Sequence, residues 1–542
     1  MRASIGLGLV SIIGLVACAA SAVDTAARVE EEHSTPGDSL GGSTDATEPP
    51  PPSTGGPETP APAEAPPAPI VGGLAISEVA MFQAVKVPVM KAGEAVSASG
   101  RKAPVVAKRS GMLRVYVTPG ADWKPRAVTA ELRLVSEGHK HPVVRDTKVV
   151  TAASNEEDPT STFNLDVPGD SLPAGVTYQV ALTAPDGEDP AKVHESDARY
   201  PRDGGFESLG AELAGKLRVV LVPIKYDADG SGRTPAVGPT ELELYRKTMM
   251  RLYPTSEVEL KARAPHPWSS QISSNGGGFA QVLRAVTQLR QEDQVERDVY
   301  YYGLLAPSAS MSAYCRSGCV TGLSTVVDNP TAAGMRASIG IGFGNPESAS
   351  TMAHEIGHAH GRAHAPCGGP QGVDPRYPYQ GGSIGTWGYD IFTKALISPA
   401  KGRDMMGYCR NEWVSDYTYN ALFERIAAIS VEKNVALPSV APPPALAAKR
   451  AARYHVATAG ESGDLTWDGD MDFASEDELE GGAIRQATLY TESGAALSTR
   501  AAKFFPFDHL PGGFVLVPKD AAMEAARWKA IAVEGFAGRL AR

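Results

Sequence analysis

Between His354 and His364 the chain reads His-Glu-Ile-Gly-His-Ala-His-Gly-Arg-Ala-His, a pattern of H-E-x-x-H-x-x-G-x-x-H. On a helix, residues four apart share a face, so His354 and His358 can direct two imidazoles at one metal ion. Glu355 lies one step round, beside that metal, where it can take a proton from water. Gly361 can end the helix in a left-handed conformation and turn the chain so that His364 returns as a third ligand. Three imidazoles leave a fourth position open, the arrangement of a catalytic rather than a structural zinc site. Four of the chain's 11 histidines fall in this segment, which core packing does not require. His360 fits no ligand position and reads as a solvated residue or one that supports the ligands from behind.

A second segment, Asp404-Met405-Met406-Gly407-Tyr408-Cys409, follows His364 by about forty residues. The extended histidine motif defines the metzincins, whose other hallmark is a tight turn with a methionine beneath the zinc. Met406-Gly407-Tyr408 matches the M-x-Y form of that turn, and the thioether would give a soft apolar floor under the imidazoles. With Trp413-Val414-Ser415-Asp416-Tyr417-Thr418-Tyr419, which would open a closing helix, the run from His354 to Tyr419 resembles the dictomallein/StcE-like metzincins. The resemblance covers Lys216 to Val431 and is specific in its last third. It implies that His354, His358 and His364 bind one catalytic Zn2+, that Glu355 is the general base, and that Met406 forms the Met-turn. It makes Tyr408 a candidate for contact with zinc or a developing oxyanion, with a tyrosine packed under the site as the alternative. Some members of the group favour O-glycosylated proteins, but no residue here reads a glycan.

These side chains need a scaffold. Leu217–Ile224, Val258–Ala262, Tyr300–Leu305 and Ala337–Phe343 read as strands, and Pro239–Leu252 and Phe279–Leu289 as helices. Asn345-Pro346 is a helix start, with asparagine as cap and proline in the first turn. This fits an α+β metzincin domain over 216–432, with a mixed sheet, a zinc helix and a Met-turn. The strand Ala337–Phe343 is expected to pair with an extended substrate. Short alternating segments (Leu113–Val117, Ala130–Leu134, Tyr178–Leu182) predict a β-sandwich-like domain over 74–205, serving as a substrate-binding or spacer module or as an inhibitory pro-domain. Tyr454–Ala457, Ala487–Tyr490 and Gly513–Val517 predict a small β-rich domain over 450–542, beyond a linker at Pro438–Pro444. The fold class is therefore multidomain.

The N-terminus reads as a signal peptide over 1–17, ending in Leu15-Val16-Ala17-Cys18, which looks like a bacterial lipobox with Cys18 lipidated. Residues 18–73 are rich in Pro, Ser, Thr and Glu, and as a coil would reach roughly 40 Å. Nine acids stand there between Ala19 and Ala75 against Arg28 alone, so much of the net charge of −11 sits in this tether. The remainder is close to neutral, and nothing in it argues for a nucleic-acid partner. Four further cysteines in an exported chain suggest disulfides. Cys315–Cys319 and Cys367–Cys409 are favoured, with an all-cysteine metal site as the alternative. Asp227-Ala228-Asp229-Gly230-Ser231-Gly232 starts like a Ca2+ loop, but Gly238 stands where an EF-hand needs glutamate, so a plain turn is favoured. Asp468–Asp472 also lacks a full ligand pattern. These readings predict a lipid-anchored zinc endopeptidase of the bacterial envelope, at the outer membrane or cell surface, that cleaves proteins or glycoproteins. The alternative is a surface adhesin or glycan-binding lipoprotein with an inactive metzincin-like domain.

Overall fold

The computed structural model describes residues 69–184, 197–430 and 452–542. The signal segment, Cys18, nearly all of the tether and the Pro438–Pro444 linker lie outside the described residues. Within them the chain is multidomain and mixed α/β, rich in strands with few helices. No helix among the described residues is long and apolar enough to cross a membrane.

Two antiparallel sheets form the N-terminal part. One has the order Glu94–Ala95, Lys86–Lys91, Leu74–Phe82, Gly111–Pro119, Phe163–Val167. The other centres on Arg126–Ser136, paired with Thr177–Thr183 on one side and with Val144–Val150 on the other. Val128, Ala130, Leu132 and Leu134 alternate inward from Arg126–Ser136 and share a core with Leu113, Val115 and Val117 of the first sheet. The spacing around Leu113 predicts a half-exposed strand, yet Gly111 to Val117 are all buried. The outer face is covered as well: Met112 and Tyr116 pack with Tyr389 of the central part. Arg114 is neutralised by Glu156 at 3.1 Å and donates to the Thr162 hydroxyl at 2.8 Å.

The central sheet runs Glu257–Ala262, Lys216–Tyr226, Val299–Leu305, Ala337–Ile341 in parallel, then Gly322–Ser324 antiparallel at its edge. Parallel strands need helical crossovers and are buried on both faces. Val299–Leu305 obeys this, with Tyr300, Tyr302 and Leu304 in one core and Val299, Tyr301 and Leu305 in another. Helix Pro239–Leu252 lies in the first of these cores beside helix Pro346–Ala359, which carries the motif. Helix Phe279–Glu292 lies in the second. Ala337–Ile341 is paired on both sides, so it offers an extended substrate no free edge. The outermost strand is instead Gly322–Ser324, three residues without any alternating signature.

The C-terminal part is a seven-stranded antiparallel sheet in the order Leu465–Phe473, Ala452–Ala459, Gly513–Pro518, Ala496–Pro506, Ala483–Tyr490, Ala530–Val533, Leu540–Ala541. One face contributes Tyr454, Val456, Phe473, Phe505 and Leu516 to the core around helix Phe279–Glu292, and the other holds Trp528 and Val517 in a core of its own. Docking on that helix brings the turn after Pro506 against the central sheet.

Candidate metal centre

Asn345 caps the motif helix, its Oδ1 accepting the Ser348 amide at 3.0 Å, and Pro346 opens the first turn. His354 and His358 lie one turn apart with Nε2 atoms 3.0 Å from each other. Gly361 adopts φ +82° and ends the helix. A Cβ there would come within 2.8 Å of the Val327 carbonyl oxygen, so the reversal that returns His364 needs glycine. Each imidazole is oriented by a main-chain carbonyl that accepts its Nδ1–H: Met405 for His354 at 2.6 Å, Arg362 for His358 at 2.6 Å, Gln371 for His364 at 2.5 Å. That fixes one tautomer and turns three Nε2 lone pairs toward one point. Burial is the main cause that lowers all three histidines, His358 to about 3 and His364 to about 4, so each is neutral near pH 7.

The segment around Met406 builds the floor. Asp404 is fully buried, and its carboxylate accepts the amides of Met406 and Ser415, both at 2.9 Å, joining the tight turn to the closing helix Asp416–Ile429. The Met406 sulfur lies against Gly357, where a Cβ would stand only 2.5 Å from it. Cys367 and Cys409 form a disulfide, as do Cys315 and Cys319. The first flanks Tyr408, whose amide donates to the Cys367 carbonyl at 2.8 Å and whose hydroxyl stands 3.2 Å from His364 Nε2. Tyr408 thus sits at the cluster rather than beneath it.

Glu355 is 1% exposed and points at Gly322, where a Cβ would be 2.2 Å from its Oε1. Burial, then the neighbouring Asp508 carboxylate, raises its pKa well above the usual carboxylate range. His360 is buried too, which corrects the solvated reading. It stacks on Tyr300 at 4.3 Å, and its Nδ1–H donates to the Ile356 carbonyl at 2.8 Å, turned away from the ligand set.

Two residues at the site carry no sequence signal. Asp508 and His509 come from the C-terminal turn. Asp508 Oδ2 lies 3.3 Å from His358 Nε2, and His509 Nε2 lies 2.8 Å from Glu355 Oε1 without hydrogen-bond geometry. The Tyr408 hydroxyl bonds His509 Nδ1. Ligand atoms of His354, His358, His364 and His509 all lie within 4.8 Å of one another, as do those of Glu355, His358, Asp508 and His509. Glu355 Oε2, Asp508 Oδ2 and His509 Nε2 are buried without a hydrogen-bond partner among the described residues. Converging lone pairs beside buried carboxylate oxygens repel each other, and a cation among them relieves that repulsion, so this donor set fits a metal ion.

The other acidic motifs are engaged elsewhere. Asp227 Oδ1 accepts the Gly232 amide at 3.0 Å and Asp229 pairs with Arg233, so that segment is a self-satisfied turn. Asp470 and Asp472 pair with Lys519 and Arg453.

No curated protein matches the chain. Among solved structures, a calcium-binding mutant of Bacteroides uniformis beta-glucuronidase 2 is 12% identical with a TM-score of 0.12, covering 45% of this chain and 25% of its own. A Bacteroides fragilis protein assigned as a beta-galactosidase is 14% identical with a TM-score of 0.11, covering 45% of this chain and 35% of its own. The chain thus spans well under half the length of either, and overlaps so slight bear on neither fold nor activity. The Peptidase M66 family model matches residues 301–420, a span running from the strand Val299–Leu305 through the motif helix and Met406 into the closing helix. The match supports a peptidase function for the part of the chain that holds the histidine cluster.

Proposed function

We propose that this chain is a zinc-dependent endopeptidase of the metzincin kind, held outside the cytoplasm by a lipid on Cys18, that hydrolyses peptide bonds of proteins or glycoproteins. One observation carries the reading: three Nε2 lone pairs converge, each imidazole oriented by a backbone carbonyl, with Glu355 beside them and Met406 beneath. His354, His358 and His364 would hold the ion. When bound, zinc supplies Lewis acidity that makes a water nucleophilic near neutral pH and polarises the scissile carbonyl. Glu355 accepts a proton from the attacking water and passes it to the amide nitrogen as the C–N bond breaks. Its buried place beside the three imidazoles puts the carboxylate within reach of a water held there. The Tyr408 hydroxyl, close to His364, donates a hydrogen bond toward the oxyanion. An extended substrate would add to the sheet along Gly322–Ser324.

The test is cleavage of casein and of mucin with and without a chelator, together with zinc content. We expect one zinc per chain, lost in His354→Ala, and slow chelator-sensitive cleavage. Glu355→Ala should retain zinc while cleavage falls about 10³-fold. Unchanged cleavage in Glu355→Ala would overturn the reading. Chelator-insensitive cleavage would overturn the zinc dependence, and no cleavage from any form of the chain would favour the adhesin.

A further inference from the structure

The turn between the C-terminal strands Ala496–Pro506 and Gly513–Pro518 runs beside the edge of the central sheet rather than into solvent. Thr325 and Phe507 form an antiparallel bridge. The Val326 amide donates to the Pro506 carbonyl at 3.3 Å, and the Asp508 amide to the Ser324 carbonyl at 3.2 Å. Asp508 Oδ1 accepts the Ser324 amide at 3.0 Å, doing for the strand what a partner's carbonyl would do. Phe505, Phe507 and Phe514 anchor the turn in the core that holds Leu323 and Ile339. A substrate strand would need these same groups, since Gly322–Ser324 is the outermost strand beside the motif helix. Beyond Asp508 the next side chain is His509, which reaches the three ligand histidines, Tyr408 and Glu355 together.

We propose that this turn is a resident occupant of the substrate groove, and that the His509 imidazole is a fourth protein ligand closing the metal site in this state. The inference rests on the metal-peptidase reading above. Three protein ligands leave a position for water, whereas four make the closed set of a structural site. The occupant also engages the two side chains that would act on a substrate: Tyr408 through its hydroxyl and Glu355 through close approach. The Asp508 side chain is fully buried against His358, leaving little room for a second strand. Cleavage therefore requires the turn to leave.

The test compares the full-length chain with His509→Gln and with the double variant Asp508→Asn/His509→Gln, each loaded with Co2+. The visible spectrum of the wild-type cobalt protein should not respond to azide, because no position is open. Both variants should bind one cobalt and respond to azide. They should also release metal to a chelator at least about tenfold faster and cleave casein at least about tenfold faster than wild type. The Gln variants keep side-chain volume, and matching circular dichroism checks their fold. An azide response in the wild type equal to that in the variants overturns the fourth-ligand assignment. Loss of cleavage in His509→Gln with metal retained overturns the occupant and makes His509 part of the catalytic machinery. If the spectra differ as expected but no form cleaves any protein, the ligand assignment stands and the peptidase reading falls. If His354→Ala binds cobalt as wild type does, the metal reading itself falls.

Discussion

His354 and His360 stand six residues apart, both buried, and their environments assign them opposite work. His354 gives its Nδ1–H to a carbonyl and its Nε2 to the cluster, whereas His360 stacks flat on Tyr300 and points nothing at the site. Burial lowers His360 from 6.5 to about 3, aided by Arg425 and Arg336. Above pH 6.5 the ring is neutral folded and unfolded, so it adds no pH dependence. Below 6.5 the unfolded chain takes the proton first, and stability drains away until pH 3, by on the order of 2–3 kcal/mol near pH 4.5. His360→Phe keeps a ring on Tyr300 and removes the titration. For the metal-free proteins, the denaturation temperature should fall less steeply between pH 6.5 and 4.5 in the variant. Equal slopes would show that His360 is not the buried neutral base described.

At the scale of elements, the edge strand and the motif helix meet at a glycine. Gly322 lets the sheet approach Glu355 so closely that a Cβ would stand 2.2 Å from Oε1 and 2.5 Å from Cγ. In an open strand, alanine for glycine would stabilise by roughly 0.5–1 kcal/mol. Here the overlap is the larger effect, costing about 1–3 kcal/mol unless the carboxylate moves. Gly322→Ala should therefore push Glu355 out of position, with zinc content unchanged and cleavage down by about 100-fold. A normal cleavage rate in that variant would mean Glu355 works from another rotamer.

At the scale of the whole molecule, the N-terminal sheets are keyed into the central part behind the motif helix, at Tyr253, whose hydroxyl donates to the Ala353 carbonyl at 2.6 Å. Arg109 is fully buried and has no carboxylate partner among the described residues. Its guanidinium donates to the carbonyls of Tyr253 and Thr255, each at 3.0 Å, just past the end of helix Pro239–Leu252, and to Gln83 at 2.8 Å. The Trp413 indole N–H and the Tyr389 amide both donate to the Ala84 carbonyl, at 2.8 Å each. Arg109→Met would fill similar volume but orphan these buried acceptors, at a cost of about 3 kcal/mol. Calorimetry should show a lower denaturation temperature with metal binding intact; an unchanged temperature would mean that water reaches those carbonyls. Such a joint ties the N-terminal part to the central part through main-chain carbonyls, while the part whose side chains reach the ligand histidines is the C-terminal sheet.

The sequence by itself determined what is local. Helix Pro239–Leu252 and the start of the motif helix follow from periodicity, proline and an asparagine cap, all acting within a few residues. The grouping of His354, His358 and His364 follows from helical pitch plus one glycine. Tertiary structure alone decided which strand is the sheet's edge, because pairing on both sides of Ala337–Ile341 comes from segments elsewhere in the chain. It also decided that Gly111–Val117 is covered on its outer face, and that His360 faces away from the cluster. Above all it brought Asp508 and His509 to the site. A turn between two ordinary strands has no spacing that announces chemistry, and it acquires a role only when the apolar face of its own sheet docks on helix Phe279–Glu292 and carries it there.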